Sequence, residues 1–480
     1  MADFTCDFRQ PAHPFPHFWE DCVGSGHAPL GLRADWQRQL LRCHRELGFQ
    51  RVRFHGILSD DMGTLICQDE KPLYSFFNAD QIMDFLLPAG MRPFVELSFT
   101  PRMLSSGDTS VFHYAANVTP PKNYADWGTL IHKLVKHWVN RYGTEEVRQW
   151  RFEVWNEPNL KAFWTGTQQE YFSLYKTTVE AIKSVDASLQ AGGPVTANNQ
   201  WIPEFLDYCQ KNRVPVDFVS THHYPTDAFG KPGADTETQL EHSPRHMMRD
   251  QAAKARDEAG DLPLFYTEWN ISSNPRDPLH DEPFAAPFII RIVMEARDLV
   301  QGYSFWTFSD IFEENYFPSV PFQGGFGLLT LHGIAKPAYR AFELLHRLGN
   351  ESIAVTGTHE TADVWMVRKG KSATALLTNL AMPHKAIQTT LVNVHLAGAP
   401  RPRVAYIERI DEDHANPRRL WESMGAPEYL SSLQVSQLES ASCLVKEAHP
   451  WSGGAADGED LTLSAALPPQ SAAAITIEFD

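Results

Sequence analysis

One stretch of the sequence decides how the rest of the chain is interpreted: FEVWNEPNL, residues Phe152–Leu160. Its aromatic and β-branched residues predict a strand, and Pro158, which cannot donate to a sheet ladder, marks the end of that strand. This leaves the carboxylate of Glu157 at the carboxyl end of the strand, directly after the amide of Asn156. Because ligands bind at that end of the strands in parallel α/β proteins, the stretch predicts a carboxylate that faces a pocket.

A second stretch further along the chain repeats this design: LFYTEWN, residues Leu264–Asn270. It is again an apolar strand with a carboxylate, Glu268, at its end, next to a tryptophan and an asparagine. Either glutamate alone is more simply a solvated loop residue or one half of an ion pair. The two together, each at the same end of a predicted strand, favour a shared site. We therefore predict that Glu157 and Glu268 face each other across one pocket.

Predicted strands and helices alternate from about Cys22 to Gly349. Such alternation indicates a parallel sheet with right-handed crossovers, and eight units in this length are typical of a (β/α)8 barrel. Glu157 then ends the fourth strand and Glu268 the seventh. The predicted strands are Cys22–Gly26, Phe49–His55, Arg92–Phe99, Trp150–Glu157, Leu189–Val195, Val216–Tyr224, Leu262–Asn270 and Gly302–Asp310. The predicted helices are Ala34–Leu47, Asn78–Ala89, Tyr124–Arg141, Gln168–Val185, Trp201–Asn212, Ser243–Ala259, Pro283–Val300 and Lys336–Leu348.

The pattern changes after Gly349. Short alternating runs follow, separated by turn-rich segments, and they predict a small antiparallel β-sandwich. We therefore assign the chain to the α/β class. Residues 15–349 form a (β/α)8 TIM barrel, and residues 350–480 form an accessory antiparallel β-sandwich domain to which residues 1–14 add a strand.

The composition of the chain limits its partners. Its 480 residues include 42 Lys and Arg against 59 Asp and Glu, a formal net charge of −17. This acidity argues against nucleic acid and anionic membranes as partners, and the chain has no apolar run of about 18 residues that would span a bilayer. The N-terminus lacks the apolar segment of a signal peptide, and the six cysteines are scattered, so we expect reduced thiols in a cytoplasmic protein.

The chemistry that suits two facing carboxyl groups is the hydrolysis of a glycosidic bond. That reaction needs one protonated carboxyl for the leaving oxygen and one ionised carboxylate for the anomeric carbon, so their environments must separate their pKa values. Asn156, beside Glu157, is suited to hydrogen-bond a sugar hydroxyl. Arg53 and His55 end the second strand on one face, where a guanidinium would hold Glu268 ionised.

Other candidate residues carry weaker signals. Trp306, at the end of the eighth strand, either packs in the core or stacks on a sugar ring. His222 and His223 suggest a metal at first, but adjacent strand residues point to opposite faces, so we expect no metal site and no cofactor.

Several acidic residues also accompany the predicted strands. Those within strands, Glu96 and Glu153, are expected to be partners of Arg51 or Arg53 in the barrel interior. The loop pairs Asp60-Asp61 and Glu313-Glu314 are either solvated charges or hydrogen-bonding groups at the rim of the pocket.

Several long motifs resemble the β-xylosidases of glycoside hydrolase family 39. They span most of the chain, in the order of the family: RFHGILSDDMG (Arg53–Gly63), NVTPPK (Asn117–Lys122), FEVWNEPNLKAFW (Phe152–Trp164), FYTEWNIS (Phe265–Ser272), SFWTFSDIFEE (Ser304–Glu314), GGFGL (Gly324–Leu328) and RIDEDHANP (Arg409–Pro417). The resemblance implies a retaining enzyme with a (β/α)8 barrel and a β-sandwich. It makes Glu157 the general acid/base and Glu268 the nucleophile.

The resemblance also implies a set of substrate contacts. For the substrate-binding histidine at the end of the sixth strand we choose His222, with Tyr224 as a second contact. We also expect a non-proline cis peptide between Trp306 and Thr307. The expected substrate-binding residues are Asn156, His55, His222, Tyr224, Trp306, Arg53, Lys161, Phe163 and Glu313.

The family resemblance leaves the sugar to be decided. The same family includes α-L-iduronidases, but a uronic acid needs cationic partners, and the loop Asp310–Glu314 is anionic. Lys161 is a possible cation, but it also fits the β-xylosidase-like motif. We therefore expect an exo-acting β-xylosidase that takes a neutral oligosaccharide, with an α-L-iduronidase-like or α-L-arabinosidase-like enzyme as the alternative. A non-catalytic sugar-binding protein and a metal-dependent barrel enzyme are the rival classes. The oligomeric state, monomer or homo-oligomer, is left open.

Overall fold

A computed structural model describes residues 1–69, 71–226, 235–314, 317–454, 456 and 458–480 of the chain. Its centre is a closed barrel of eight parallel strands, which confirms the predicted (β/α)8 barrel. All eight predicted strands are present in the predicted order, although most are shorter than predicted. We number the barrel strands β1–β8: Val23–His27, Arg51–His55, Arg92–Leu97, Arg151–Val154, Gln190–Thr196, Phe218–His222, Leu264–Trp269 and Gly302–Phe305.

Eight helices accompany the barrel in the described part of the chain, with short additional turns between them. Gly48, in the left-handed conformation with φ of 79°, ends the first helix as its sequence predicts. The predicted helix Pro283–Val300 ends earlier, at Glu295, and Asp298 beyond it takes a positive φ of 67°. The eight helices, numbered α1–α8, are Ala34–Leu47, Phe77–Leu86, Tyr124–Tyr142, Gln168–Val185, Ile202–Asn212, Met247–Ala259, Ala285–Glu295 and Pro337–Arg347. The short helices Thr144–Val147 and Thr236–Glu241 lie outside this numbering.

Two further β-sheets face each other over a second apolar core, which contains Phe4, Leu377 and Ile475 among others. The first sheet has the order Val355–Thr356, Ala2–Asp7, Thr390–Ala397, Leu461–Leu467, Trp451–Gly453. The second has the order His13–Pro14, Glu351–Ile353, Ala362–Lys369, Ser372–Asn379, Ser471–Phe479, Pro402–Ile410, Glu447–Ala448. The N-terminal segment therefore adds one strand to each sheet, where a single strand is predicted, and Ala2–Asp7 runs parallel to Thr390–Ala397 in the otherwise antiparallel first sheet. The division at residues 14/15 and 349/350 stays a proposal.

Two helices in this part of the chain, Pro417–Ser423 and Ser432–Ser442, were not predicted. Trp421 and Leu438 on these helices pack with Phe322 in a separate small core beside the barrel. Within the described residues, no helix has the length and apolarity required to cross a bilayer.

A buried ion cluster holds the loop Gly324–Leu328 against the barrel. The Nζ atom of Lys336 lies 2.6 Å from Asp281 and 2.7 Å from Asp310, and it donates to a carbonyl of the loop at 2.9 Å. Asp281 and Asp310 in turn accept hydrogen bonds from backbone N–H groups of the loop at 2.6 and 2.8 Å. All three charged side chains are at most 2% exposed, so they depend on each other for stabilisation.

We expect the substitution Lys336→Met to lower the free energy of unfolding by about 3–5 kcal/mol, because it leaves two buried carboxylates without their cation. Urea denaturation measures the loss. Lys176→Met is the matched control, since its ion pair with Glu180 lies on an exposed helix surface and contributes at most about 0.5 kcal/mol. Equal losses in the two variants would contradict the role assigned to the buried cluster.

Candidate active site

The carboxyl ends of the barrel strands surround a cavity of about 510 Å³. Eight of the eleven side chains that the sequence singles out line this cavity, and three do not: Arg53, His222 and Glu313. The eight that line it are Glu157, Glu268, His55, Asn156, Lys161, Phe163, Tyr224 and Trp306.

The end of β4 turns sharply and presents Asn156 and Glu157 to the cavity. The strand stops at Val154, and both Trp155 and Glu157 have positive φ values, 78° and 43°. Trp155 is fully buried beneath the site, and its indole N–H donates to the carbonyl of Phe163 at 2.9 Å. The packing of this tryptophan therefore supports the turn from below, while Glu157 keeps 8% of its surface exposed in the cavity.

Glu268, on β7, is held by two neighbours. One carboxylate oxygen accepts a hydrogen bond from the guanidinium of Arg53 at 2.7 Å, and the other accepts from the hydroxyl of Tyr224 at 2.9 Å. A carboxylate oxygen of Glu157 and one of Glu268 lie within 4.8 Å of each other, with a ring nitrogen of His222 beside both. This short separation fits the roughly 5–5.5 Å between the carboxyl groups of retaining glycosidases.

The two carboxyl groups have different electrostatic environments. Burial, reinforced by the negative charge of Glu268, raises the pKa of Glu157 well above its usual value. Glu268 instead accepts a charge-assisted hydrogen bond from a cation. The pair therefore favours a proton on Glu157 and a negative charge on Glu268.

The hydrogen bonds of His222 lead to the same assignment. The hydroxyl of Thr267 donates to Glu153 at 2.8 Å, so the hydroxyl oxygen accepts from Nε2 of His222 at 3.1 Å. Burial lowers the pKa of His222 well below its usual value, which leaves the ring neutral and its Nδ1 without a proton. Glu157, 2.9 Å from that Nδ1, must then be the donor, and so carries the proton.

Arg53 is fully buried behind the cavity wall rather than in it. Its guanidinium contacts three carboxylates: Glu153 at 2.5 Å, Glu268 at 2.7 Å and Glu96 at 2.8 Å. It also donates to the side-chain oxygen of Asn156 at 2.9 Å. The structure therefore differs from the predicted substrate contact, because the guanidinium is inaccessible and each of its three nitrogens contacts a protein group. Its predicted role as partner of the interior glutamates is confirmed, whereas Arg51 pairs with Asp21.

His55 and Glu314 form a second polar pair on the cavity wall. Burial opposes a charge on His55, but nearby carboxylates, above all Glu96 at 2.6 Å, outweigh it and raise its pKa to about 9. Glu314 lies 3.5 Å from Nε2 of His55, and burial raises the pKa of Glu314 to about 8. Its Oε1 atom is buried and has no hydrogen-bond partner within the described residues, and the residue itself lines the cavity, which makes Glu314 a candidate sugar contact.

The sequence prediction chose the wrong member of this acidic pair for the cavity wall. Glu313 has a φ of 53° and turns its carboxylate to Arg33, outside the cavity, whereas Glu314 lines it. Two adjacent glutamates in a loop give no periodic signal that distinguishes them. The pair is predicted at the rim of the pocket, with Glu313 rather than Glu314 as the substrate contact.

Aromatic rings complete the walls. Trp306 packs edge-on against Phe312, with ring centroids 5.7 Å apart, and the predicted cis peptide follows it. The lining also includes Phe163 and Phe112, whose ring centroids are 5.7 Å apart, and Phe112 is not predicted from the sequence. Lys161 also reaches the wall, but its ammonium group donates to backbone carbonyls of residues 165 and 166 at 3.4 and 2.9 Å.

The two adjacent histidines after β6 diverge, as expected. His223 points to the sulfur of Met247, 3.2 Å away, and only His222 faces the two glutamates. Glu157, His222 and Glu268 have the spacing of metal ligands, but the Arg53 guanidinium bound to Glu268 disfavours a second cation there. The three groups are better explained as a proton-transfer arrangement.

A (β/α)8 barrel with two unequal carboxyl groups at the ends of β4 and β7, between aromatic walls, defines a glycoside-hydrolysing site of the retaining type. The comparisons with known proteins agree. The chain belongs to Glycosyl hydrolases family 39, whose sequence model matches residues 4–458.

Three relatives illustrate this membership. A β-xylosidase of Caldicellulosiruptor saccharolyticus is 48% identical over 100% of this chain and 99% of its own length. A β-xylosidase of Geobacillus stearothermophilus is 41% identical over 89% of this chain and 86% of its own. The solved structure of a family 39 β-xylosidase from Caulobacter crescentus superposes with a TM-score of 0.83 at 31% identity, and the match covers 100% of both chains.

Proposed function

We propose that this chain is a retaining, exo-acting β-xylosidase that releases xylose from the non-reducing end of β-1,4-xylo-oligosaccharides. One observation carries the proposal: Glu157 and Glu268 approach within 4.8 Å at the ends of β4 and β7, one in an environment that favours a proton and the other bound to a cation. The two β-xylosidases that are 48% and 41% identical to the chain over the aligned residues support xylose as the sugar.

The mechanism follows from the different surroundings of the two carboxyl groups. Glu268 attacks the anomeric carbon while Glu157 gives its proton to the leaving oxygen, and a glycosyl-enzyme forms. Glu157, now ionised, then takes a proton from a water that releases the sugar with retained configuration. The neutral ring of His222 stays beside Glu157 in both steps and adds no positive charge that would hold the acid ionised.

Arg53 positions both the nucleophile and the neighbouring amide. It binds Glu268 and the side-chain oxygen of Asn156. The amide nitrogen of Asn156 is thereby turned away from Arg53, toward the cavity that this residue lines. We assign to that nitrogen a hydrogen bond to a sugar hydroxyl next to the reacting carbon, and to Arg53 a positioning role.

A neutral sugar fits the charges of the cavity better than a uronic acid. The ammonium group of Lys161 already donates to two backbone carbonyls, and the charge of His55 is matched by Glu96. Among the described residues that line the cavity, a substrate carboxylate would therefore meet only cations that protein groups already hold in place. This supports a pentose over iduronic acid.

A panel of aryl glycosides with one leaving group tests the substrate assignment. It comprises the β-xyloside, α-L-arabinoside, α-L-iduronide and β-glucoside, compared by kcat/KM. We expect the xyloside to be preferred and the iduronide to be the poorest substrate, because its carboxylate lacks a partner. A preference for the arabinoside or the iduronide would reject the proposed substrate while leaving the two carboxyl groups in their roles.

The substitution Glu157→Ala tests the role of the proton donor. For an alkyl xyloside, whose leaving group needs a proton, we expect kcat/KM to fall at least about 100-fold. For a dinitrophenyl xyloside, whose leaving group departs as a stable anion, kcat/KM for the first step should change little. The second substrate serves as the internal control, and equal losses with both would contradict the assignment.

The adjacent pair Glu313 and Glu314 offers a matched test of substrate binding. We expect Glu314→Ala to lower kcat/KM for the aryl xyloside about 3- to 10-fold, the range for losing a hydrogen bond between neutral groups, because burial keeps this carboxyl largely protonated near neutral pH. Glu313→Ala, which removes a side chain outside the cavity, should stay within about twofold. A larger effect at position 313 than at 314 would show that the wrong residue has been placed on the sugar.

We also propose a reducing, cytoplasmic location. All six cysteines are free thiols, and four of them are buried. Burial raises the pKa of Cys6, Cys22 and Cys209 to about 12, which keeps these thiols unreactive. Titration with a thiol reagent should therefore detect all six groups in the unfolded protein without prior reduction.

A further inference from the structure

A group of potential metal ligands lies at the amino ends of the barrel strands, away from the cavity. His17 and Glu20 precede β1, and His346 lies at the end of α8. The Nδ1 atoms of His17 and His346 lie 2.6 and 2.9 Å from the same carboxylate oxygen of Glu20. The three ligand atoms are all within 4.8 Å of one another, and all three residues are partly exposed.

The orientation of His17 is one that a metal ligand adopts. Its Nε2 lies 3.2 Å from the carbonyl oxygen of Gly349, which can only accept, so Nε2 carries a proton. In a neutral ring the Nδ1 lone pair then faces the Glu20 carboxylate at 2.6 Å. Two such acceptors repel each other unless a positive charge lies between them. Metal-binding histidines have this same orientation, with the remote N–H on a carbonyl or carboxylate.

The surrounding backbone leaves room for the group. His17 and Glu20 are three residues apart on one helical turn, so both side chains reach the same point. Gly48 packs directly against them: a Cβ atom there would come within 2.5 Å of both Glu20 and His346. Two surface cavities border His17, and they give water access to the remaining coordination position.

We propose that His17, Glu20 and His346 bind one zinc ion. Two imidazole nitrogens, one carboxylate oxygen and a water molecule form a tetrahedral set that suits this metal. Ligands at about 2.0–2.1 Å from zinc lie about 3.3 Å apart, so the side chains need to separate by about half an ångström. The ion would join the segment before β1 to the last barrel helix, and thus the first βα unit to the eighth.

Binding is tested on the full chain after treatment with a chelator and its removal. Titration with Co²⁺, followed by the visible absorption of the tetrahedral ion, and with Zn²⁺ by calorimetry should each give one site. His17→Gln and His346→Gln should each weaken binding about 100-fold. His132→Gln is the control, since this exposed histidine on α3 bonds to Ser184, and it should bind as the wild type does.

Glu157, His222 and Glu268 in the cavity are a second group with the spacing of metal ligands, so the experiment needs a control for binding there. Glu268→Gln should bind the ion unchanged, because it alters only the cavity. A zinc concentration about 100 times the dissociation constant should raise the melting temperature of the wild type by about 2–3 °C, and that of His346→Gln not at all. The melting curve without metal verifies that each variant is folded.

Three results would overturn the proposal: no binding to the wild type, binding that survives His346→Gln, or binding that is lost in Glu268→Gln. The first would leave a proton on His17 as the positive charge that the geometry requires. The last would place the ion in the cavity instead. All readouts are independent of which glycoside the enzyme hydrolyses, so failure of the zinc site and failure of the proposed function are separate outcomes.

Discussion

The site depends above all on one buried cation, the guanidinium of Arg53. It contacts Glu96, Glu153 and Glu268, which come from three different barrel strands, and it is completely inaccessible to solvent. Burial alone would disfavour its charge, but the three carboxylates outweigh that effect and raise its pKa. Such a cluster is stable only when every member keeps its partners. The positions of the nucleophile and of Asn156 therefore follow from the closure of the barrel around Arg53.

The two carboxyl groups differ because of what surrounds each of them, since chemically they are identical. Glu268 is bound to Arg53, while Glu157 contacts a neutral histidine and, among the residues that the structure describes, no cation. The hydroxyl of Thr267 contributes to this difference. Because it donates to Glu153, it accepts from Nε2 of His222 and so fixes the tautomer of that ring. The division between acid and nucleophile is thus a consequence of one connected hydrogen-bond network across β2, β4, β6 and β7.

Much of the fold and part of the site are predictable from the sequence for local reasons. The alternation of apolar strands with helices ending at glycines predicts the barrel, and the stretch Phe152–Leu160 predicts a carboxylate at the end of β4. The misassignments occur where local signals are weak. Glu313 is predicted in place of its neighbour and Phe112 is not predicted at all, because positions in irregular loops follow no period. The helices Pro417–Ser423 and Ser432–Ser442 are also missed within a region of alternating strands.

The sequence by itself determined the order of the strands, the (β/α)8 class and the placement of Glu157 and Glu268 at two strand ends, because periodicity and turn residues act over a few neighbouring positions. Only the tertiary structure decided which groups reach the cavity and how they are charged. Arg53 is drawn behind the wall by carboxylates from distant strands, and a positive φ at Glu313 turns that side chain outward and leaves Glu314 inside. Burial and ion pairing are properties of residues far apart in the chain, and so they exist only once the barrel has closed.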